Sequence, residues 1–91
     1  MQLRIVTLRE DFVEIEVENE DPSILDSLAE ILQRMDEVEY AGVVVEHPLT
    51  MKSILRVKTD KQKMLAKDAL TKALSELSKL AEEFEEKIKE L

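Results

Sequence analysis

The clearest pattern of hydrophobic and polar positions lies in residues 61–91, which contain neither Gly nor Pro. Apolar side chains return there every three or four positions, which is the period of an amphipathic α-helix. A continuous helix over this stretch would be roughly 45 Å long, so we expect its far end to extend beyond its own sheet. A stripe that continues past that edge indicates a partner chain. The stripe comprises Ala66, Ala69, Leu70, Ala73, Leu74, Leu77, Leu80, Ala81, Phe84, Ile88 and Leu91.

Two strands are predicted before residue 19. Residues 3–8 are rich in β-branched and aliphatic side chains, whereas residues 12–18 alternate strictly, with Val13, Ile15 and Val17 on one face and glutamates on the other. This alternation is typical of a strand with one face in water. The short polar connection between the two stretches predicts an antiparallel hairpin.

A first helix is predicted from Pro22 to about Met35. Asp21 can cap its free amides, and Pro22 suits the first helical position. The apolar stripe of this helix is wide enough to contact two neighbours, which makes the helix a second candidate for packing between chains. The stripe consists of Ile24, Leu25, Leu28, Ala29, Ile31, Leu32 and Met35.

The most hydrophobic stretch, residues 38–46, predicts a third strand. It is apolar on both faces, which favours a central place in the sheet, and its Gly42, the only glycine, fits either a bulge or a close approach of another element. Residues 53–59 predict a fourth strand with Leu55 and Val57 facing inward, and Thr59 and Asp60 offer a cap for the long helix.

The predicted order is therefore β-β-α-β-β-α, an α+β fold in which a four-stranded, mostly antiparallel sheet carries two helices on one face. We expect residues 1–91 to form a single domain. Without cysteine the chain has no disulfide or thiolate metal site. Because no apolar run has the length of a membrane span and the first residues lack the core of a signal peptide, we expect a cytoplasmic protein.

Charge is unevenly distributed along the chain. Residues 10–46 carry 13 acidic residues against Arg34 alone, which argues against a free-standing nucleic-acid binder because such proteins show a basic footprint. Residues 52–72 carry seven basic and two acidic residues. We interpret this basic cluster as a solvated strand edge and helix turn; the alternative is a patch facing an acidic partner subunit or nearby nucleic acid. The cluster comprises Lys52, Arg56, Lys58, Lys61, Lys63, Lys67 and Lys72.

No enzyme signature is present. One glycine cannot build a phosphate-binding loop, and the lone His47 has no identifiable nucleophile or second ligand beside it. We therefore expect His47 to be a structural loop residue, and we expect no catalytic residue, metal or cofactor. A small enzyme of ferredoxin-like fold is the least favoured interpretation. The surplus of apolar helix surface favours a dimerising protein.

Three stretches resemble the archaeal RNA polymerase subunit L family, which shares its dimerising core with its eukaryotic counterparts and with the bacterial α-subunit N-terminal domain. They are the run Tyr-Ala-Gly-Val-Val-Val-Glu-His-Pro-Leu at residues 40–49, Val-Lys-Thr-Asp at residues 57–60, and Lys-Asp-Ala-Leu at residues 67–70. The acidic-His-Pro-Leu loop is the most specific of these motifs, and the match covers nearly the whole chain in element order and length.

The resemblance implies a non-catalytic subunit of DNA-directed RNA polymerase, the nucleotidyltransferase complex of transcription. Members of the family pair with a D-type subunit, helix against helix, and this heterodimer is the platform on which the two large catalytic subunits assemble. No membrane contact and no direct sequence-specific contact with nucleic acid are expected. The implied partner-facing residues are Ile24, Leu25, Leu28, Leu32, Leu70, Ala73, Leu77, Leu80, Phe84 and Ile88, and the signature loop is Glu46, His47, Pro48 and Leu49.

The chain also departs from the family pattern. Residues 21–26 read Asp-Pro-Ser-Ile-Leu-Asp in place of an acidic residue followed by His-Thr-Leu and, shortly after, an Asn. Lys61 and Ala66 stand where members carry Gly and Pro. Because family members use the first-helix motif in dimer contacts, an alternative stays open: a stand-alone homodimeric accessory module, either a diverged paralogue or the dimerising subunit of a tRNA-modifying complex.

Overall fold

Six elements follow one another in the predicted order, and the α+β fold class is confirmed. The computed structural model describes residues 2–19, 22–47, 49 and 52–90. The strands are β1 (Gln2–Leu8), β2 (Phe12–Glu18), β3 (Val38–His47) and β4 (Lys52–Thr59), and the helices are α1 (Pro22–Gln33) and α2 (Ala66–Lys89). Asp21, the predicted cap of α1, lies outside the described residues.

The sheet has the strand order β1-β2-β4-β3, and all three pairings are antiparallel. The predicted first hairpin is confirmed: the Arg9 N–H donates to the Phe12 carbonyl at 2.8 Å. A bulge between Ile5 and Thr7 separates the two halves of β1. Leu3 lies opposite Val17, so the apolar residues of both strands share one face of the sheet.

The prediction that β3 is central was wrong, because β3 forms an edge of the sheet and pairs only with β4. The two apolar faces of β3 have different surroundings. Ala41 is buried on the side of the helices, whereas Tyr40 and Val44 stand about half exposed on the opposite, open face. The open face of β3 would therefore be buried only by a further chain.

Gly42 permits a close approach, although the group that approaches belongs to its own strand. A Cβ atom at this position would lie 2.5 Å from the Tyr40 hydroxyl oxygen. The irregularities in the β3–β4 pairing fall on either side, between Val38 and Tyr40 and between Val45 and His47. Neither predicted interpretation of Gly42 therefore describes this strand, because the register shifts lie elsewhere and the approaching side chain belongs to β3 itself.

Both helices pack on one face of the sheet, as predicted. α1 lies mainly over β3, and α2 lies over β2 and β4. Small residues of α2 point at the sheet and let the helix lie close to it, which leaves the larger side chains of α1 and the strands to fill the core. The core consists of Val13, Leu28, Ala29, Ile31, Leu32, Ala41, Leu55, Val57, Ala66, Ala69 and Ala73.

The long helix begins at Ala66, five residues later than predicted. Asp60 caps a separate turn instead of the helix: its carbonyl accepts the amides of Lys63 and Met64, and its Oδ1 accepts the Gln62 amide at 3.0 Å. The first helical amide, that of Ala66, donates to the Glu10 carbonyl at 2.8 Å. The turn of the first hairpin therefore satisfies a donor that no residue of α2 could satisfy.

Two hydroxyl groups are buried on the helix side of β4 without a hydrogen-bond partner in the described part of the chain. They belong to Ser53 and Thr59, which are both about 1% exposed. A buried hydroxyl that gives up its hydrogen bonds to water and gains none in the protein lowers stability.

Replacing Thr59 with Val, which keeps the shape of the side chain, is expected to raise the free energy of unfolding by about 1 kcal/mol. Urea denaturation followed by circular dichroism measures this change. Thr7→Val is the matched control: the Thr7 hydroxyl donates to the Glu14 carboxylate at 2.8 Å, so its loss should not stabilise the fold. Equal stability changes in the two variants would contradict the explanation.

Candidate partner interface

The described residues hold no cluster of three or more His, Asp or Glu side chains that could bind a metal ion. The surface features that remain are a charged ladder on the open face of the sheet, the exposed flanks of the two helices and the outer strand β1. In the part of the chain that the structure covers, no helix combines the length and apolarity needed to cross a membrane.

The open face of the sheet carries ion pairs that run across three strands. Glu16 of β2 lies between Arg4 of β1 and Lys52 of β4, and the Lys52 Nζ is 2.8 Å from the Glu16 Oε1. Glu14 accepts the Arg56 Nε–H at 2.7 Å and the Thr7 hydroxyl. Two members of the basic cluster, Lys52 and Arg56, are thereby paired with carboxylates of β2. They lie on β4, which is an interior strand, so the expected strand edge does not describe these two residues.

These contacts stabilise the ionised carboxylates. The hydrogen bond from Lys52, followed by that from Arg4, holds the pKa of Glu16 below its ordinary value. Arg56 and then Thr7 likewise hold the pKa of Glu14 below its ordinary value. Glu16 is itself buried, so this face of β2 is less exposed to solvent than the alternating sequence pattern predicted. The buried Glu16 carboxylate can stay ionised because Arg4 and Lys52 both lie beside it.

We expect this ladder to make folding sensitive to acid. A carboxylate with a lowered folded pKa stabilises the protein above its unfolded pKa of about 4.3, and that contribution disappears as pH falls through the folded value. Glu16→Gln should therefore be less stable than the wild type at pH 7 and lose less stability between pH 6 and pH 3. Melting temperatures across this range test the expectation, and Lys52→Gln should flatten the profile in the same direction. Parallel profiles for wild type and Glu16→Gln would contradict it.

The residues that the resemblance placed at the interface divide into three groups. Leu25, Leu28, Leu32 and Ala73 are buried in the isolated chain, because its own sheet occupies the middle of each helical stripe. Only the flanks of those stripes remain available to a partner. Ile24 is exposed, whereas Leu70 and Leu77 are partly buried at the edge of the core. The side chains of Leu80, Phe84 and Ile88 lie outside the described residues.

Sequence reasoning placed Leu74 in the helical stripe but left it out of the interface set. The structure shows it half exposed on α2. The cleft between the two helices is lined by Ile31 of α1 and by Lys72 and Glu76 of α2. Because Leu74 is half a helical turn from the mean direction of those two α2 residues, it points away from α1.

The signature loop is described only in part. Glu46 is exposed, with its Oε2 4.0 Å from the Lys52 Nζ, and Leu49 is almost fully exposed. The backbone of His47 ends β3, while its side chain and Pro48 lie outside the described residues. An exposed leucine in a loop next to an edge strand is available for a protein contact.

The outer strand β1 was not recognised as a surface from the sequence. Its Leu3, Ile5 and Leu8 lie on the face of the sheet that carries the helices, opposite Val17, Ile15 and Val13 respectively. They are nevertheless 58–62% exposed. Their apolar spacing was visible in the sequence, but whether a helix covers them depends on strand order, which the spacing does not contain.

Comparison with known proteins shows the family to which the chain belongs. The family model of the RNA polymerase Rpb3/Rpb11 dimerisation domain matches residues 13–87. The DNA-directed RNA polymerase subunit Rpo11 of Saccharolobus solfataricus and that of Saccharolobus shibatae are each 32% identical over 91 residues, which is all of this chain and 98% of the relative. A probable subunit RPAC2 of RNA polymerases I and III from Caenorhabditis elegans is 43% identical over 61 residues, covering 67% of this chain and 42% of that protein.

A solved structure has the same fold. The crystal structure of DNA-directed RNA polymerase subunit L from Thermoplasma acidophilum superposes with a TM-score of 0.84 at 24% sequence identity. The superposition covers 98% of this chain and 86% of that one. The sheet order and the helix placement described above are therefore shared by a further protein.

Proposed function

Because the chain belongs to the RNA polymerase Rpb3/Rpb11 dimerisation-domain family and is a non-catalytic subunit of that polymerase, we propose that it is the subunit called L or Rpo11. In this role it pairs with a D-type subunit, and the pair is the platform on which the large catalytic subunits assemble. The whole of residues 1–91 serves as one dimerisation domain, working in the cytoplasm. Its contribution to transcription is structural.

The observation that carries this proposal is the apolar flank of α2 that stays outside the core. Leu70, Leu74 and Leu77 lie at least partly exposed along one side of the helix. α2 itself continues from Ala73, its last residue described as buried, to Lys89. Obligate subunit interfaces are more apolar than ordinary surface, so an exposed leucine flank on a long helix fits a permanent partner.

A stand-alone homodimeric module is the competing interpretation, and the full-length similarity to Rpo11 subunits does not favour it. The two interpretations differ in what the chain binds in its own cells. Affinity purification of the tagged chain from those cells, with mass spectrometry of the recovered proteins, separates them. We expect the D-type subunit and both large polymerase subunits in comparable amounts. Recovery of the chain with only itself, or with an unrelated protein, would overturn the proposal.

A further inference from the structure

One hydrogen bond determines how the backbone of the edge strand β3 is oriented. The Thr59 N–H donates to the Asp11 carbonyl, so the backbone groups of Thr59 point toward β2. In an antiparallel sheet the backbone groups of every second residue point to the same side, so those of Val57 also point toward β2. Val57 lies opposite Ala41. The N–H and C=O groups of Ala41 therefore point away from β4, to the free edge of the sheet.

The same alternation places further backbone groups at this edge. The pairing of β3 with β4 has no register shift between Tyr40 and Val45, so Ala41, Val43 and Val45 present their N–H and C=O groups in one row. Residues 40–45 contain neither a charged residue nor a Pro and end in three consecutive valines. A strand of this composition at a sheet edge is a template for the addition of another strand. The other edge strand, β1, is interrupted by its bulge.

A second copy of β3 fits this edge in one register. If Val43 of both copies lies on a two-fold axis, Ala41 of each copy lies opposite Val45 of the other, and these are the residues whose backbone groups point outward. Gly42 then lies opposite Val44, so the open faces of both sheets stay on one side. Each outward-pointing pair can exchange two hydrogen bonds. Because every contact of such an interface occurs twice, the partner that this edge fits is a second copy of the chain.

Gln33, the last residue of α1, occupies one acceptor of this row. Its Nε2 donates to the Ala41 carbonyl at 2.7 Å, and this carbonyl is the acceptor that the Val45 amide of a second copy would need. The Gln33 side chain is exposed, so the hydrogen bond lies at the rim of the sheet. An added strand lies about 4.8 Å from the edge, in the space that the Gln33 amide now occupies. Addition of a second copy would therefore break this bond in both chains.

We propose that the Gln33 side chain blocks the free edge of β3, so that the chain does not pair with a second copy of itself through this strand. The proposal is independent of the polymerase assignment, because it uses only the geometry of β3 and the end of α1. Gln33 holds the Ala41 carbonyl from within the chain. The edge is thereby kept from the strand pairing that its valines favour.

Gln33→Ala is expected to self-associate at a concentration at least tenfold lower than the wild type. The dimer then forms without breaking a hydrogen bond in each copy, and two such bonds change a dissociation constant by roughly tenfold or more. Sedimentation equilibrium over a range of protein concentrations measures the change. Gln62→Ala is the matched control, since it makes the same truncation at an exposed position far along the chain, and it should behave as the wild type. Wild-type self-association of Gln33→Ala would overturn the proposal.

Amide hydrogen exchange shows whether the association takes place at β3. The amides of Gly42 and Val44 point toward β4 and should exchange slowly in the wild type, whereas those of Val43 and Val45 should exchange fast. In Gln33→Ala the exchange at Val43 and Val45 should slow as the protein concentration rises. Adding Val45→Pro, which removes an outward N–H and no bond to β4, should restore the wild-type behaviour. Self-association that persists in this double variant, or that leaves exchange at Val43 and Val45 unchanged, would overturn the proposal.

Discussion

Replacing Leu74 with Asp is expected to abolish pairing with the partner subunit of the polymerase, which we propose to be of the D type, while leaving the isolated fold intact. Half of the Leu74 surface is exposed in the free chain, so the lost burial and the lower helix propensity of Asp should together reduce the free energy of unfolding by no more than about 1.5 kcal/mol. In the complex the same position would hold an unpaired carboxylate against an apolar partner. Such a charge costs several kcal/mol, which corresponds to a loss of at least a hundredfold in affinity.

Ser75→Asp is the matched control for this experiment. It adds the same charge at the next residue of α2, where the side chain is exposed and points away from the flank that carries Leu74. Titration of each variant with the purified D-type subunit, by calorimetry or by sedimentation, gives the affinities. Wild-type affinity for Leu74→Asp, or equal losses in both variants, would remove the α2 flank from the interface.

The largest effect on stability is expected from Leu32→Ala. Leu32 is fully buried where α1 faces the sheet, so the truncation leaves a cavity that a well-packed core closes only in part. The free energy of unfolding should fall by about 3 kcal/mol. For a chain of 91 residues this is a large part of the total, since small domains are stable by only about 5–10 kcal/mol.

Leu74→Ala provides the comparison, because it removes the same atoms from a half-exposed position of the other helix. We expect it to cost less than about 1 kcal/mol. Both variants should be measured at one protein concentration, since self-association through an apolar flank makes apparent stability depend on concentration. A loss below about 1 kcal/mol for Leu32→Ala would show that α1 does not pack on the sheet as described.

The sequence was sufficient for the elements and for the direction of most side chains. Strict alternation placed Val13 and Val17 inside, and the same rule placed Leu55 and Val57 inside β4. Each of these conclusions depends only on the spacing of hydrophobic residues along the chain, which is a local property. The same holds for the long helix, whose period is clear although its start was placed five residues too early.

The sequence did not show which helix covers which strand of the sheet. Two apolar faces on β3 suggested a central strand, but the strand lies at an edge with Tyr40 half exposed. Likewise, a helical stripe does not tell its own sheet from a partner chain, so Leu28 and Leu32 were assigned to an interface although the core buries them. The order of the strands and their cover by helices follow from non-local packing. Only the three-dimensional structure shows which residues of a helical stripe the core buries and which stay exposed.

The hydrogen bond from the Ala66 amide to the Glu10 carbonyl has a consequence for the far end of the molecule. It ties the first residue of α2 to the turn between β1 and β2, so the hairpin and the packing of Ala66, Ala69 and Ala73 on the sheet together determine the direction of the helix. Over 24 residues, or roughly 36 Å of helix, a rotation of about 5° at this pivot displaces the other end by about 3 Å. A changed turn at residues 9–11 is therefore expected to shift the far end of α2, although it replaces no residue there.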